Sequence, residues 1–281
     1  MQTVQSRDGT TIAFDRFGDG PPVILVDGAL CYRESGGSRK LAASLAPHFT
    51  VYAYDRRGRG ESGDTAPYAV EREVEDVEAL IEDAGGSADL YGISSGAVLA
   101  LEAANRGVGV ENLVLYEPPL IVDDSRPPLP PDYAANLDEV LAADRRDDAV
   151  RLFLREVGVP GIALALMRFI PAWSKLKSVA HTLPYDFAIL DGLQAGNPLP
   201  DSRWDAVTVP ALVLVGGKSP AWLHHGTQAL ADVLADARHR VLEGQTHMVK
   251  ADALAPALEE FFTSDDGASV EDVEARSTKA V

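Results

Sequence analysis

The sequence predicts an α/β fold: a doubly wound, mostly parallel eight-stranded sheet with a helical cap inserted after the sixth strand. Three observations carry that expectation. Short apolar runs alternate along the chain with stretches of helical periodicity, as strands and crossover helices do in a parallel sheet. One run, Ala88-Asp89-Leu90-Tyr91, passes through Gly92-Ile93-Ser94-Ser95-Gly96 directly into Ala97-Val98-Leu99-Ala100-Leu101-Glu102-Ala103-Ala104. That is a strand, a tight turn and a helix made of strong helix formers. Finally, residues 118 to 208 separate the sixth strand from the seventh, where a plain crossover needs only about a dozen residues.

The elements follow in order. Thr3 to Ser6 and Thr11 to Phe17 alternate apolar and polar residues on either side of the turn signal Arg7-Asp8-Gly9, which suggests an antiparallel hairpin. Val23-Ile24-Leu25-Val26 is a continuous apolar run, suited to a strand buried on both faces. A helix over Ser38 to Ala46 leads to a strand at Thr50 to Tyr54. Glu71 to Ala84 is an acidic amphipathic helix, with Val74, Val77, Leu80 and Ile81 on its apolar face.

After the Gly92–Gly96 turn and its helix, Asn112 to Glu117 is a strand stopped by Pro118-Pro119. The 118–208 segment has helical periodicity of its own, notably Leu137 to Arg155 and Ile162 to Phe169, so it reads as a lid and not as a linker. Strands at Val209 to Gly217 and His239 to Leu242, with helices at Ala221 to Ala235 and Ala251 to Phe262, complete the sheet. This divides the chain into a core of residues 1–117 and 209–263, a cap of 118–208 and a frayed acidic tail of 264–281.

Composition narrows the function. The 281 residues are 46% hydrophobic and 24% charged, ordinary for a globular protein. A net charge of −18 opposes nucleic acid and anionic membrane surfaces as partners. No stretch approaches the length of a membrane span, and Met1 to Asp8 lacks the apolar core of a signal peptide. The single cysteine, Cys31, suits a reducing compartment. The expected location is the cytoplasm and the expected partner a small molecule; oligomeric state is not legible. Dispersed histidines, with His224 and His225 merely adjacent, give no metal constellation. Gly58-Arg59-Gly60 lacks the third glycine and the helix start of a dinucleotide turn, so no cofactor is expected.

Chemistry concentrates at Gly92–Gly96, which reads G-x-S-x-G. A serine on a tight strand-to-helix turn has its hydroxyl pushed clear of the backbone, and small neighbours let strand and helix approach. The helix start also places the Ser95 N–H and the positive end of the helix dipole beside any developing oxyanion. In a doubly wound sheet ligands bind at the carboxyl ends of strands. Asp27, Asp55, Ser94, Glu117 and Gly216 all fall there.

With these motifs in order, the chain resembles the α/β-hydrolases, specifically their capped, esterase- or lactonase-like members, over residues 2 to 263. Gly28-Ala29 fall in the loop after the third strand. Asp55, Arg57, Gly58, Gly60 and Ser62 match a D-x-R-G-x-G-x-S stretch, Gly92 to Gly96 the nucleophile elbow, and Gly244-Gln245-Thr246-His247 the late histidine loop. The resemblance implies Ser94 as nucleophile, His247 as general base, and the N–H groups of Ala29 and Ser95 as oxyanion hole. It implies a structural role for Asp55 and Arg57 as a buried pair or turn anchor.

Two departures stand out. Relatives usually carry His-Gly where this chain has Asp27-Gly28. Asp27 is expected to bond to loop backbone or to Arg57; aimed at the oxyanion hole, its charge would oppose the reaction. Relatives also carry the triad acid just after the seventh strand, where this chain reads Gly216-Gly217-Lys218-Ser219-Pro220. Some place it after the sixth strand instead, and Glu117 ends that strand here, with Asp123 and Asp124 further along the loop as alternatives. Met167, Phe169, Trp173, His181 and Tyr185, all in the lid, are candidate pocket residues. Together they favour an apolar substrate.

The reading is a serine hydrolase of a small-molecule ester, thioester or lactone, acting through an acyl-enzyme on Ser94. Carbon–carbon bond hydrolysis or non-hydrolytic lyase or cyclase chemistry on the same fold is an alternative, since fold does not fix function. A catalytically inactive ligand-binding protein is an alternative of another class.

Overall fold

The computed structural model describes residues 1–167 and 169–264; most of the predicted acidic tail lies outside the described residues. Strands β1 (Gln2–Gln5), β2 (Thr11–Phe17), β3 (Pro22–Val26), β4 (Thr50–Tyr54), β5 (Ala88–Ile93), β6 (Val110–Tyr116), β7 (Ala211–Gly216) and β8 (Ala237–Leu242) form one sheet. Its order is β1-β2-β4-β3-β5-β6-β7-β8. The N-terminal hairpin is antiparallel, β2 joins β4 antiparallel, and every pairing from β4 through β8 is parallel.

Helices α1 (Ser38–Leu45), α2 (Val70–Asp83) and α3 (Ser95–Asn105) connect the first half of the sheet. Between β6 and β7 stand α4 (Tyr133–Ala142), α5 (Arg146–Glu156), α6 (Gly161–Met167), α7 (Ala172–Ser178), a 3₁₀ turn at Ala180–Thr182 and α8 (Leu183–Ile189); α9 (Ala221–Val233) and α10 (Ala251–Thr263) follow. The helical stretch expected from Leu137 to Arg155 is in fact two helices, α4 and α5. They part at Asp144, whose φ of 54° no helix can continue.

The continuous apolar strands are continuous because both faces are covered. Ile24, Val26, Leu90, Leu115 and Val213 point to a core shared with α2, α3 and Leu230 of α9. Their neighbours Val23, Leu25, Tyr91, Val114, Leu212 and Leu214 point to the opposite core, under α1 and α10. Each buried aliphatic side chain contributes about 1.5–3 kcal/mol relative to exposure.

A third cluster joins Leu137 and Val140 of α4, Val150 of α5, Trp173 of α7 and Leu183 of α8. It takes in Leu30 and Ala29 from the loop after β3, so these helices rest on the loop that leaves the sheet's carboxyl end. The end of the inserted segment behaves differently. Ile189, Leu193, Leu199, Trp204 and Val207 pack into the main core beside α3. Among the described residues no helix is long and apolar enough to cross a membrane.

Candidate active site

Ser94 sits where the sequence puts the sharpest bend. Its φ is 58°, outside the usual range for a residue with a side chain, and it immediately precedes α3. Holding such a residue costs about 1–3 kcal/mol, which its surroundings must offset. The Ser94 N–H donates to the Tyr116 carbonyl at 2.9 Å. On the other side, strand and helix approach so closely that a Cβ at Gly92 would lie 2.6 Å from Ala97 Cα. A Cβ at Gly28 would come within 3.0 Å of Ser94 Cβ, so the loop after β3 lies directly against the serine.

Strand register brings the next residue to the same place. Ile93 is level with Tyr116 across β5 and β6, so Ser94 and Glu117 leave neighbouring strands side by side. Glu117 also turns out of its strand with positive φ, 45°. Its carboxylate is fully buried, and three donors satisfy it. Oε1 accepts the Gly216 N–H at 2.7 Å and the Ser219 hydroxyl at 2.5 Å. Oε2 accepts His247 Nδ1–H at 2.7 Å. With Nδ1 donating, Nε2 is left as the acceptor nitrogen of the ring.

The histidine loop is tied to the same strand ends. Tyr116 donates its hydroxyl to the Thr246 carbonyl at 2.7 Å, and the Lys218 N–H donates to Gln245 O at 2.8 Å. Asp123, an alternative acid, is engaged elsewhere: it accepts from His225 Nδ1 at 2.6 Å and from Ser125. Asp124 makes no bond to His247.

The loop after β3 departs from expectation at Asp27. Its carboxylate takes the Ser38 hydroxyl and not Arg57. Arg57 instead holds Asp76 through two nitrogens, at 2.8 and 2.7 Å, and Asp8 at 3.0 Å. Asp55 is occupied by the Arg33 and Glu61 N–H groups, so Asp55 and Arg57 are two separate anchors and not a mutual pair. Burial pushes the Asp27 carboxyl up, against the opposing Ser38 bond and the guanidinium charges. Burial likewise pushes the Cys31 thiol up to about 12, leaving it no thiolate with which to compete as a nucleophile.

Neither the Ala29 nor the Ser95 N–H donates to a protein acceptor among the described residues. Two arginines to which the sequence assigned no role, Arg56 and Arg59, lie behind them. Arg59 Nη1 donates to Gly28 O at 2.7 Å and Arg56 Nη1 to Asp27 O at 3.2 Å; both side chains are buried. Both also meet Asp186 of α8, at 2.7 Å each. Two arginines in the loop after β4 were the available signal; nothing marked Asp186.

The candidate pocket residues divide. Met167 packs at the edge of the cluster that contains Ala29 and Leu30. Trp173 belongs to the interior of the inserted helices, its Nε1–H donating to Asp147 at 2.6 Å. Tyr185 stacks on Tyr68, with centroids 3.8 Å apart, and donates to Asp64. His181 is half-buried in the same seam, where burial and then the Arg146 charge hold its pKa down. Phe169 is 75% exposed.

The comparisons agree with this architecture. The profile of the Alpha/beta hydrolase family matches residues 18–257. An alpha/beta hydrolase from Sphaerobacter thermophilus DSM 20745 is 55% identical, with a TM-score of 0.86 over 93% of this chain and 100% of that one. The fold is also that of the enol-lactonase from Burkholderia xenovorans LB400 (22% identity, TM-score 0.67, 94% of this chain and 100% of that one). A thermophilic esterase from Thermogutta terrifontis shares it as well (22%, 0.63, 93% and 97%). With its elbow, its late histidine loop and its eight-stranded sheet, the chain belongs to the alpha/beta hydrolase family.

Proposed function

We propose that this hydrolase cleaves a small-molecule ester, thioester or lactone through an acyl-enzyme on Ser94. The observation that carries the reading is the His247 Nδ1–Glu117 Oε2 bond of 2.7 Å, made from the strand end next to Ser94. A hydroxyl is a weak nucleophile until a base takes its proton. In this reading Ser94 Oγ attacks the acyl carbon while His247 Nε2 accepts the proton. The acyl oxygen gains the charge and takes the N–H groups of Ala29 and Ser95. His247 then passes the proton to the departing alkoxide or thiolate, and water repeats the sequence to release the acid. Glu117 holds the ring's tautomer and stabilises the imidazolium.

In this reading Asp27 stands aside from the oxyanion: its carboxyl accepts the Ser38 hydroxyl, and burial raises its pKa. Residues 118–208 serve as the cap in this reading, and Leu30, Ala29 and Met167 supply an apolar wall, which favours an apolar acyl or alcohol group. A panel of esters, thioesters and lactones, tested on wild type and Ser94→Ala, checks the proposal. At least one class should turn over with wild type and fall to background with the variant; equal turnover by both would remove Ser94 from the mechanism.

A further inference from the structure

Asp186 is a fully buried aspartate that the reaction just described leaves unused, yet it lies at the junction of three loops. It comes from α8, in the inserted segment. Its Oδ1 accepts Arg56 Nη1 and the Ser95 hydroxyl, each at 2.7 Å, and its Oδ2 accepts Arg59 Nη2 at 2.7 Å. Burial alone would raise its carboxyl, but the Arg59 and Arg56 guanidiniums hold it below the usual carboxylate range. Arg56 is further fixed by two bonds of 2.8 Å to Glu73 of α2, and Arg59 by Thr182 Oγ1 at 3.0 Å.

What these arginines grip gives the network its meaning. The Gly28 carbonyl and the Ala29 N–H belong to one planar trans peptide and point in opposite directions. When Arg59 holds Gly28 O at 2.7 Å from behind, it fixes the aim of the Ala29 N–H on the other side. A cationic donor on the carbonyl also polarises the peptide and strengthens its N–H as a donor. Arg56 does the same for the preceding peptide through Asp27 O. The loop needs such restraint, because Leu30 has φ 60°. On the far side of the hole, Ser95 has its side chain anchored by the same carboxylate.

We propose that Asp186 is a positioning residue that sets both donors of the oxyanion hole at once, through Arg59 to Ala29 and directly to Ser95. Docking of α8 against α3 and assembly of the hole are then one event. The inference rests on the serine-hydrolase reading above, since it supposes that these two N–H groups meet an oxyanion.

The test compares wild type, Asp186→Asn and Ser95→Ala. The readouts are kcat, KM, and the inhibition constant of a trifluoromethyl ketone, whose tetrahedral adduct carries an oxyanion; circular dichroism checks folding. Removing one oxyanion donor outright typically costs on the order of 10²–10³ in rate. Misaiming both should give a kcat loss of about 10–100-fold in Asp186→Asn, a matching loss of ketone affinity, and a KM within about twofold. Ser95→Ala, which keeps every ion pair, should lose about 3–10-fold in both quantities. A folded Asp186→Asn with wild-type kcat and ketone affinity overturns the proposal, as does a kcat loss with no loss of ketone affinity. If Asp186→Asn does not fold, an unaffected Ser95→Ala overturns it. Fluorophosphonate labelling of wild type separates the two levels. No labelling and no turnover would remove the hydrolase reading and this inference with it, whereas normal labelling with unaffected variants removes this inference alone.

Discussion

Glu117 shows how much a single side chain can be asked to do at a strand end. It is fully buried, and its three donors are a backbone amide, a hydroxyl and the imidazole of a half-exposed histidine. Ser219, just past the end of β7, donates to the same carboxylate. Its hydroxyl fixes Oε1 while Oε2 meets the ring. Ser219→Ala should therefore lower kcat by about 10–150-fold, the worth of one hydrogen bond to a charged group, with little change in KM. Steady-state kinetics on the best substrate would check it, and unchanged kcat would show that the Gly216 N–H suffices. The meeting of Glu117 with His247 was legible because the chain has no carboxylate between Val209 and Ala231 and because Glu117 closes a strand adjacent to the serine's. The partner of Asp27 was not legible. Which buried carboxylate meets which arginine depends on the path of the loops, and the spacing of charges in sequence does not carry that path.

At the scale of the element, the β5 turn into α3 is set by close backbone approach. A Cβ at Gly92 would overlap Ala97 Cα, so Gly92→Ala should cost about 1–3 kcal/mol of stability, measured as a shift in urea midpoint at constant slope. A second test concerns the start of β5. Burial pushes the Asp89 carboxyl up to about 7, with the Glu111 charge adding and the Asn112 side chain opposing. A raised acid binds its proton more tightly when folded, so stability falls as pH rises from the unfolded value near 4 toward 7. Asp89→Asn should remove that fall and be more stable than wild type by on the order of 2–4 kcal/mol above pH 7, with the difference vanishing near pH 4. Urea titrations at the two pH values decide it; a constant difference would contradict the assignment. The strands and the helices that flank the sheet were readable from periodicity; α7 and α8 were not, and neither was the break at Asp144. There an aspartate adopts positive φ, and no pattern of apolar residues announces it.

On the scale of the whole molecule, sheet and inserted helices are joined by charge as well as by apolar packing. Arg56 alone connects α2 through Glu73, α8 through Asp186, and the loop after β3 through Asp27 O. Breaking a buried ion network by removing one partner leaves charge uncompensated, and Arg56→Met should cost about 3–5 kcal/mol in unfolding free energy. A loss below about 1 kcal/mol in denaturant melts would mean that water reaches the vacated site. The architecture was legible from the alternation of apolar runs and helices and from the long interval before β7. The pocket was less so: Trp173 and Tyr185 looked like walls, but they are spent on the inserted helices' own interior and on the seam with Tyr68. Aromatic residues in a lid have two apolar destinations, and sequence spacing does not choose between them.

In the proposed mechanism Glu117 orients His247 for Ser94. The most direct measurement is the steady-state kcat of Glu117→Gln against wild type on one hydrolysed substrate, with circular dichroism to show both folded. Glutamine keeps the size and an acceptor oxygen but loses the charge, and its amide can impose the wrong ring tautomer. The expected kcat loss is on the order of 10⁴. A folded Glu117→Gln protein with undiminished kcat would contradict it and leave Ser94 and His247 acting without the acid.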